Sequence, residues 1–128
     1  LIMGYYLNKE DRGRARNLIS SLFGLTYMCC FNIFIQYLNG PTVYSTSLVR
    51  QLNLKSNRFS ICAELTIKLL CSGCTYYEIP GYFQRGLDGS SALGLRNLRE
   101  VIETFLKLIF EIKVQKRTLF NKRPQRVY

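Results

Sequence analysis

No histidine occurs anywhere in the 128 residues. That absence removes the commonest general base near neutral pH and the commonest metal ligand. Acid is scarce as well: 8 Asp and Glu stand against 18 Lys and Arg, a formal charge of +10. The only aspartates, Asp11 and Asp88, are far apart, so the chain has no Asp-x-Asp pair. It has no Asn-x-Ser/Thr sequon, and its opening residues show no signal-peptide pattern. Cys71-Ser-Gly-Cys74 has no second C-x-x-C to match it. Zinc would need two further ligands, and neither a His nor another cysteine pair supplies them. The five cysteines, an odd number in mostly apolar settings, read as packing thiols in a reducing, cytosolic environment. The longest apolar stretch, 22–38, is shorter and more polar than the roughly 20 apolar residues that a spanning helix needs.

What is present argues for one folded domain. The length suffices for a modest core, and a hydrophobic content of 48% argues against disorder. Residues 1–6 read as a strand, and a strand needs partners. The expectation is therefore a fragment whose sheet continues into further residues. A polar turn then feeds a helix carrying Arg12, Arg16 and Ser20 at i, i+4 and i+8, along one face. Cations at a helix start suit a phosphate, which the positive end of the helix dipole also favours; the alternative is a solvated basic turn. Residues 22–38 predict one nearly continuous apolar helix, lying in a membrane interface or buried in the fold. Asn39-Gly40-Pro41 reads as a turn, with Thr42-Val43-Tyr44 as a short strand after it. Residues 47–54 predict a short helix.

The most informative stretch is 59–92. A helix pattern opens it, with Cys62, Leu65, Leu69 and Leu70 on an inward face and Glu64 and Lys68 as an outward i,i+4 pair. Gly73 stops the helix. Residues 75–79 read as a strand whose pairing Pro80 ends. The loop Arg85-Gly86-Leu87-Asp88-Gly89-Ser90-Ser91 combines glycines, one cation and hydroxyls, a composition that can wrap an anionic group. The string F-x-x-x-A-E-L-x-x-K-L-L-x-x-G, then E-x-P, then R-x-x-x-G-x-S resembles the C-terminal portion of family-2 glycosyltransferases, and among them the bacterial enzymes similar to dolichyl-phosphate-mannose synthases. The resemblance covers roughly residues 3–112. It departs where the family loop carries a lysine, since Ser91 or Ala92 stands there.

That resemblance implies an α/β fold, the C-terminal part of a GT-A (Rossmann-like) nucleotide-diphospho-sugar transferase domain. Three or four strands with packed helices and an amphipathic membrane-interface arm are expected. Residues 1–112 would form the acceptor-side part and 113–128 a basic tail. It further implies that Arg12, Arg16 and Ser20 bind the phosphate of a polyprenyl-phosphate acceptor. Asn39, Gly40 and Tyr44 would line the transfer site, and Arg85 and Ser90 would brace the donor diphosphate. Asn39 can hydrogen-bond a sugar or phosphate but cannot act as a base, and a turn that merely satisfies its backbone is the competing reading. No catalytic residue and no metal ligand is assigned to this chain. A nucleotide-sugar donor and Mg or Mn are expected with an N-terminal half bearing Asp-x-Asp, without which this chain is inactive.

The last helix is predicted over 98–114, with Leu98, Val101, Ile102, Phe105, Leu108, Ile109 and Ile112 on its apolar side and Glu103→Lys107 as a polar-side pair. Lys113, Lys116, Arg117, Lys122, Arg123 and Arg126 follow with no acid after Glu111. This tail is expected either to hold the protein to the cytoplasmic face of the cell membrane or to be a solvated end. Two function classes result. One is part of a glycosyltransferase moving a sugar from a nucleotide-sugar to a polyprenyl-phosphate or another lipid or glycan acceptor of the cell envelope. The other is a non-catalytic basic module for anionic membrane or nucleic acid. Nucleic acid ranks lower, because the aromatics cluster in apolar runs instead of alternating with cations.

Overall fold

The computed structural model describes residues 1–8, 14–56, 60–82 and 95–128, without the side chains of residues 15, 16 and 95–97. Its elements run β1 (Ile2–Tyr6), α1 (Arg14–Phe31), β2 (Thr42–Val43), α2 (Thr46–Arg50), α3 (Ser60–Cys71), β3 (Thr75–Gly81), α4 (Leu95–Phe110) and β4 (Gln125–Arg126). A π-helical turn, Glu111–Gln115, prolongs α4. The strands form one mixed sheet in the order β2-β1-β3-β4. β1 and β3 are parallel, from Ile2↔Tyr77 to Tyr6↔Gly81; β2 is antiparallel to β1, and β4 is parallel to β3. The fold is thus α/β, with four strands and packed helices, as the sequence leads one to expect.

The period of two along the strands decides which face of the sheet is covered. Met3, Tyr76 and Glu78 point into the interior, whereas Ile2, Val43, Tyr77 and Ile79 are exposed on the other face. On the covered face Met3 and Tyr76 join Tyr27 and Phe31 of α1, Ala63, Ile67 and Leu70 of α3, and Leu108 and Ile112. Burying an apolar side chain of this size contributes about 1.5–3 kcal/mol, so these contacts supply the main driving force.

Two helix ends follow one chemistry. At Gly73, φ is +85°, and the N–H groups of Gly73 and Cys74 donate to the carbonyls of Leu70 (3.0 Å) and Leu69 (3.2 Å). This is the left-handed cap predicted there. α1 ends in the same manner at Asn32, with φ 53°, and the Ile33 N–H donates to the Met28 carbonyl at 3.2 Å. The apolar run 22–38 is therefore not one helix. Asparagine tolerates the left-handed region, and it turns the chain so that Ile33, Ile35 and Leu38 enter the core from an irregular segment. Pro80 likewise does not end pairing, since it lies inside β3 opposite Tyr5. The Tyr77 N–H donates to the Leu1 carbonyl on the β1 side, and the Tyr76 carbonyl accepts from Val127 on the other. By alternation the nitrogen of Pro80 faces away from β1, where β4 no longer reaches, so no ladder bond is lost.

The largest correction concerns Glu64 and Lys68. They do form an i,i+4 pair, but inward: their side chains are 2% and 1% exposed. Lys68 Nζ lies 2.6 Å from Glu64 Oε1, 3.2 Å from Glu111 Oε1 and 2.6 Å from the Asn53 carbonyl. Glu64 also accepts from the backbone N–H groups of Lys55 and Ser56, and Glu111 is joined by Lys55 and Lys116, each at 3.2 Å. Burial works to raise both carboxyl pKa values. Lys68 with the hydrogen bonds from Ser56 and the Lys55 N–H at Glu64, and three lysines at Glu111, outweigh it, and both are held below the ordinary 4.5. Cys62, expected inward, is exposed.

Lys68→Met should leave buried Glu64 without a charged partner and remove one of the three lysines on Glu111, costing about 3–5 kcal/mol, read as a lowered urea midpoint. Because both carboxyls titrate lower folded than unfolded, their contribution is complete above about pH 4.5 and fades as the pH falls further. Wild-type stability should therefore drop on acidification below that pH, and a Glu64→Gln/Glu111→Gln variant should show a shallower drop.

Candidate functional site

One face of α1 and the irregular segment after it enclose a hollow of about 280 Å³. Asn17, Ser20, Ser21, Gly24, Leu25 and Met28 supply the helix wall, recurring at three- and four-residue steps as one helical face must. Residues 35–38 supply the other wall. That segment has no helix or sheet of its own to fix it, and β3 does so instead. The Tyr76 hydroxyl donates to the Phe34 carbonyl at 2.8 Å, and Glu78 Oε1 accepts from the Gln36 N–H at 2.5 Å. The far oxygen of Glu78 pairs with Arg126 of β4 at 2.9 Å. Across the hollow, Ser20 Oγ donates to the Tyr37 hydroxyl at 3.4 Å.

The lining is graded. Towards the N-terminus of α1 it is polar, with Asn17, Ser20, Ser21, Gln36 and Tyr37; towards the C-terminus it is apolar, with Leu25, Met28, Ile35 and Leu38. The polar end lies nearer the positive end of the α1 dipole, where Arg14 is exposed and Arg16 stands one turn before Ser20. Gly24 leaves open space, since nothing lies within 4 Å of where its Cβ would be.

The sequence-predicted residues fall in different places. Ser20 lines the hollow. Arg12, Arg85 and Ser90 lie outside the described residues, as do Asp11 and Asp88. Asn39 is exposed directly after Leu38, one of the lining residues. Gly40 serves a close approach: a Cβ there would lie 1.8 Å from the Gly4 carbonyl oxygen, and the Gly4 N–H donates to the Pro41 carbonyl at 2.7 Å. Tyr44 turns to α3 instead, its hydroxyl 2.8 Å from Thr66 Oγ1, and burial raises its pKa. The structure thus brings Ser20 close to the Asn39-Gly40 turn and leaves Tyr44 committed elsewhere. Sequence reasoning gave no site role to Gln36, Tyr37, Tyr76 or Glu78, the last read only as part of the E-x-P string. The available signal was the alternation of Tyr76 and Glu78 on one face of β3.

Among the described residues all five cysteines are free, and no group of three or more Cys, Asp or Glu could hold a metal ion. Cys71 is buried, which pushes its thiol up to about 11 and suits packing better than redox chemistry. No described helix is long and apolar enough to cross a membrane.

Gly40→Ala should force the turn off β1 and cost about 1–3 kcal/mol in urea unfolding. Gly24→Ala, which meets only open space, should leave the fold intact and stabilise α1 by up to about 1 kcal/mol. Comparison with protein-family models, with curated proteins and with solved structures found no match to this chain.

Proposed function

We propose that this chain is the acceptor-side part of a glycosyltransferase working at a membrane surface, and that the α1 hollow takes a polyprenyl phosphate. The observation that carries this reading is the polarity gradient of the hollow, from Asn17, Ser20 and Ser21 at the basic end of α1 to Leu25, Met28 and Ile35 at the other. A phosphate head would accept hydrogen bonds from Asn17 and from Ser20, whose hydroxyl would turn from Tyr37 to donate, while the first isoprene units would lie along the apolar half. The Asn39-Gly40 turn adjoins this hollow, where an amide can orient a sugar hydroxyl. In such a transfer an acceptor phosphate oxygen attacks the anomeric carbon as the nucleotide diphosphate leaves. That nucleophile is already anionic and needs no general base, which fits a chain without histidine. Donor binding is assigned to Arg85 and Ser90 on the sequence resemblance. A metal that would help the diphosphate leave is assigned, on the same resemblance, to an Asp-x-Asp half; among the described residues no group of three or more Cys, Asp or Glu could hold one.

The test uses a short-chain polyprenyl phosphate below its critical micelle concentration, with the corresponding alcohol as control, in titration calorimetry. The phosphate should bind and the alcohol should not. Gly24→Leu, which fills the hollow, should weaken binding at least tenfold, about 1.4 kcal/mol, with unfolding unchanged. Ser20→Ala should weaken it by about 0.5–1.5 kcal/mol, one hydrogen bond. Equal binding by Gly24→Leu, or equal binding of the alcohol, would remove the hollow from the reading.

A further inference from the structure

α4 carries more apolar surface than the core uses. Thr104, Leu108, Glu111 and Ile112 are buried and Val101, Phe105 and Ile109 half-buried, all facing the fold. Beside them runs a second row at four-residue steps: Leu98, Ile102, Leu106 and Phe110 are 51%, 50%, 60% and 54% exposed, and Val114 at 63% carries the row into the π-helical turn. Four-residue steps keep these side chains adjacent, so they make one ridge. A lone exposed leucine means little, but an apolar row along a whole helix marks an interaction surface.

We infer that this ridge is the surface by which the chain lies on an anionic bilayer. Charge decides the occupant. From Thr104 to the end the only acid is Glu111, and it is buried beneath Lys55, Lys68 and Lys116. On the exposed surface the ridge runs into Lys113 and Arg117, with Lys122 and Arg123 beyond. Arg99 on the polar flank is neutralised by Glu103 at 2.8 Å. An apolar stripe ending in uncompensated cations has the chemistry of an interfacial helix beside acidic headgroups. A parallel symmetric pairing of two copies through the same ridge would instead bring Lys113 and Arg117 towards their equivalents, and an antiparallel one would offer them no acid on the facing ridge. Nucleic acid would find cations but only one aromatic, Phe110, along the ridge. The helix implied here is α4, not the 22–38 stretch expected from sequence. The inference takes from the proposed function only that the chain works at a membrane.

The chain has no tryptophan, so one can be placed as a reporter. Leu106→Trp sits on the ridge, and Lys107→Trp, about 100° away round the helix and exposed, serves as control. Both are titrated with phosphatidylcholine vesicles with and without phosphatidylglycerol, and with no polyprenyl phosphate. The Leu106→Trp emission should shift to the blue and be quenched by brominated acyl chains on phosphatidylglycerol vesicles only, while Lys107→Trp should do neither. In co-sedimentation, Ile102→Gln/Phe110→Gln and Lys113→Gln/Arg117→Gln should each lower the bound fraction at least tenfold, with circular dichroism unchanged. An unshifted Leu106→Trp, or ridge variants that bind as wild type, would overturn the inference. A blue shift that tracks protein concentration without lipid would also overturn it, in favour of a second copy. Lacking polyprenyl phosphate, these vesicles leave the hollow untested, so the two readings fail separately.

Discussion

The structure depends on the ammonium group of Lys68. It is 1% exposed and meets three acceptors, one for each of its protons: Glu64, Glu111 and the Asn53 carbonyl. Withdrawing such a group from water costs several kcal/mol, and only near-complete pairing offsets that. The partners come from separate parts of the chain. Glu64 belongs to α3 itself, Asn53 to the segment before it, and Glu111 to the end of α4. One side chain therefore fixes where three segments meet. The π-helical turn belongs to the same arrangement, for it begins at Glu111, whose carbonyl accepts from the Lys116 N–H at 2.8 Å while Lys116 Nζ reaches its carboxylate. Wider turns of this kind recur where a helix must present a particular side chain.

Sequence patterns were informative where the cause was local. Gly73 announced the end of α3, because positive φ is cheapest for glycine. The β-forming run at 75–79 announced β3, and the apolar period announced α4. Patterns failed where the cause lay far along the chain. Glu64 and Lys68 look like a solvent-facing pair, since charged residues are almost never buried alone. Their burial becomes favourable only when Glu111, Lys55 and the Asn53 carbonyl complete the set, and no local window contains all of these. Asn32 was a readable signal of lesser strength. Its apolar neighbours continued the hydrophobic run, and hydrophobicity without period cannot tell a helix from buried irregular chain.

The candidate site divides in the same way. Ser20 was singled out from its sequence spacing with Arg12 and Arg16, and it lines the hollow. The facing wall was not, because residues 35–38 owe their position to Tyr76 and Glu78 of β3. Glu78 works on the covered face alone, holding the Gln36 N–H with one oxygen and Arg126 with the other. The glutamate of the Glu-Ile-Pro string that contributes to the glycosyltransferase resemblance thus has a structural task here, which is to fix the segment at Gln36. Gly40 and Tyr44, read as lining a transfer site, are held by close approach to Gly4 and by Thr66, respectively.

The hollow and the ridge lie on different helices, and aromatic packing ties the two together. Tyr27 of α1 stacks against Phe105 of α4 with ring centroids 4.7 Å apart, and Phe31 meets the same ring edge-on at 6.2 Å. Phe23 extends the row, 4.5 Å from Tyr27. Offset and edge-to-face pairs of this kind each add about 0.5–1.5 kcal/mol beyond area burial and restrict the angle between the helices. Phe105 lies in α4 one residue from Leu106 of the ridge, and Tyr27 lies in α1 one residue from Met28 of the hollow. A surface that fixes α4 therefore fixes the orientation of the hollow as well. In the proposed function that coupling would set the direction from which the hollow meets the phosphate of a polyprenyl chain anchored in the bilayer. A hollow held at a set angle to the membrane would meet the phosphate without searching for it, and the ordering entropy is met by Tyr27, Phe31 and Phe105 as the chain folds.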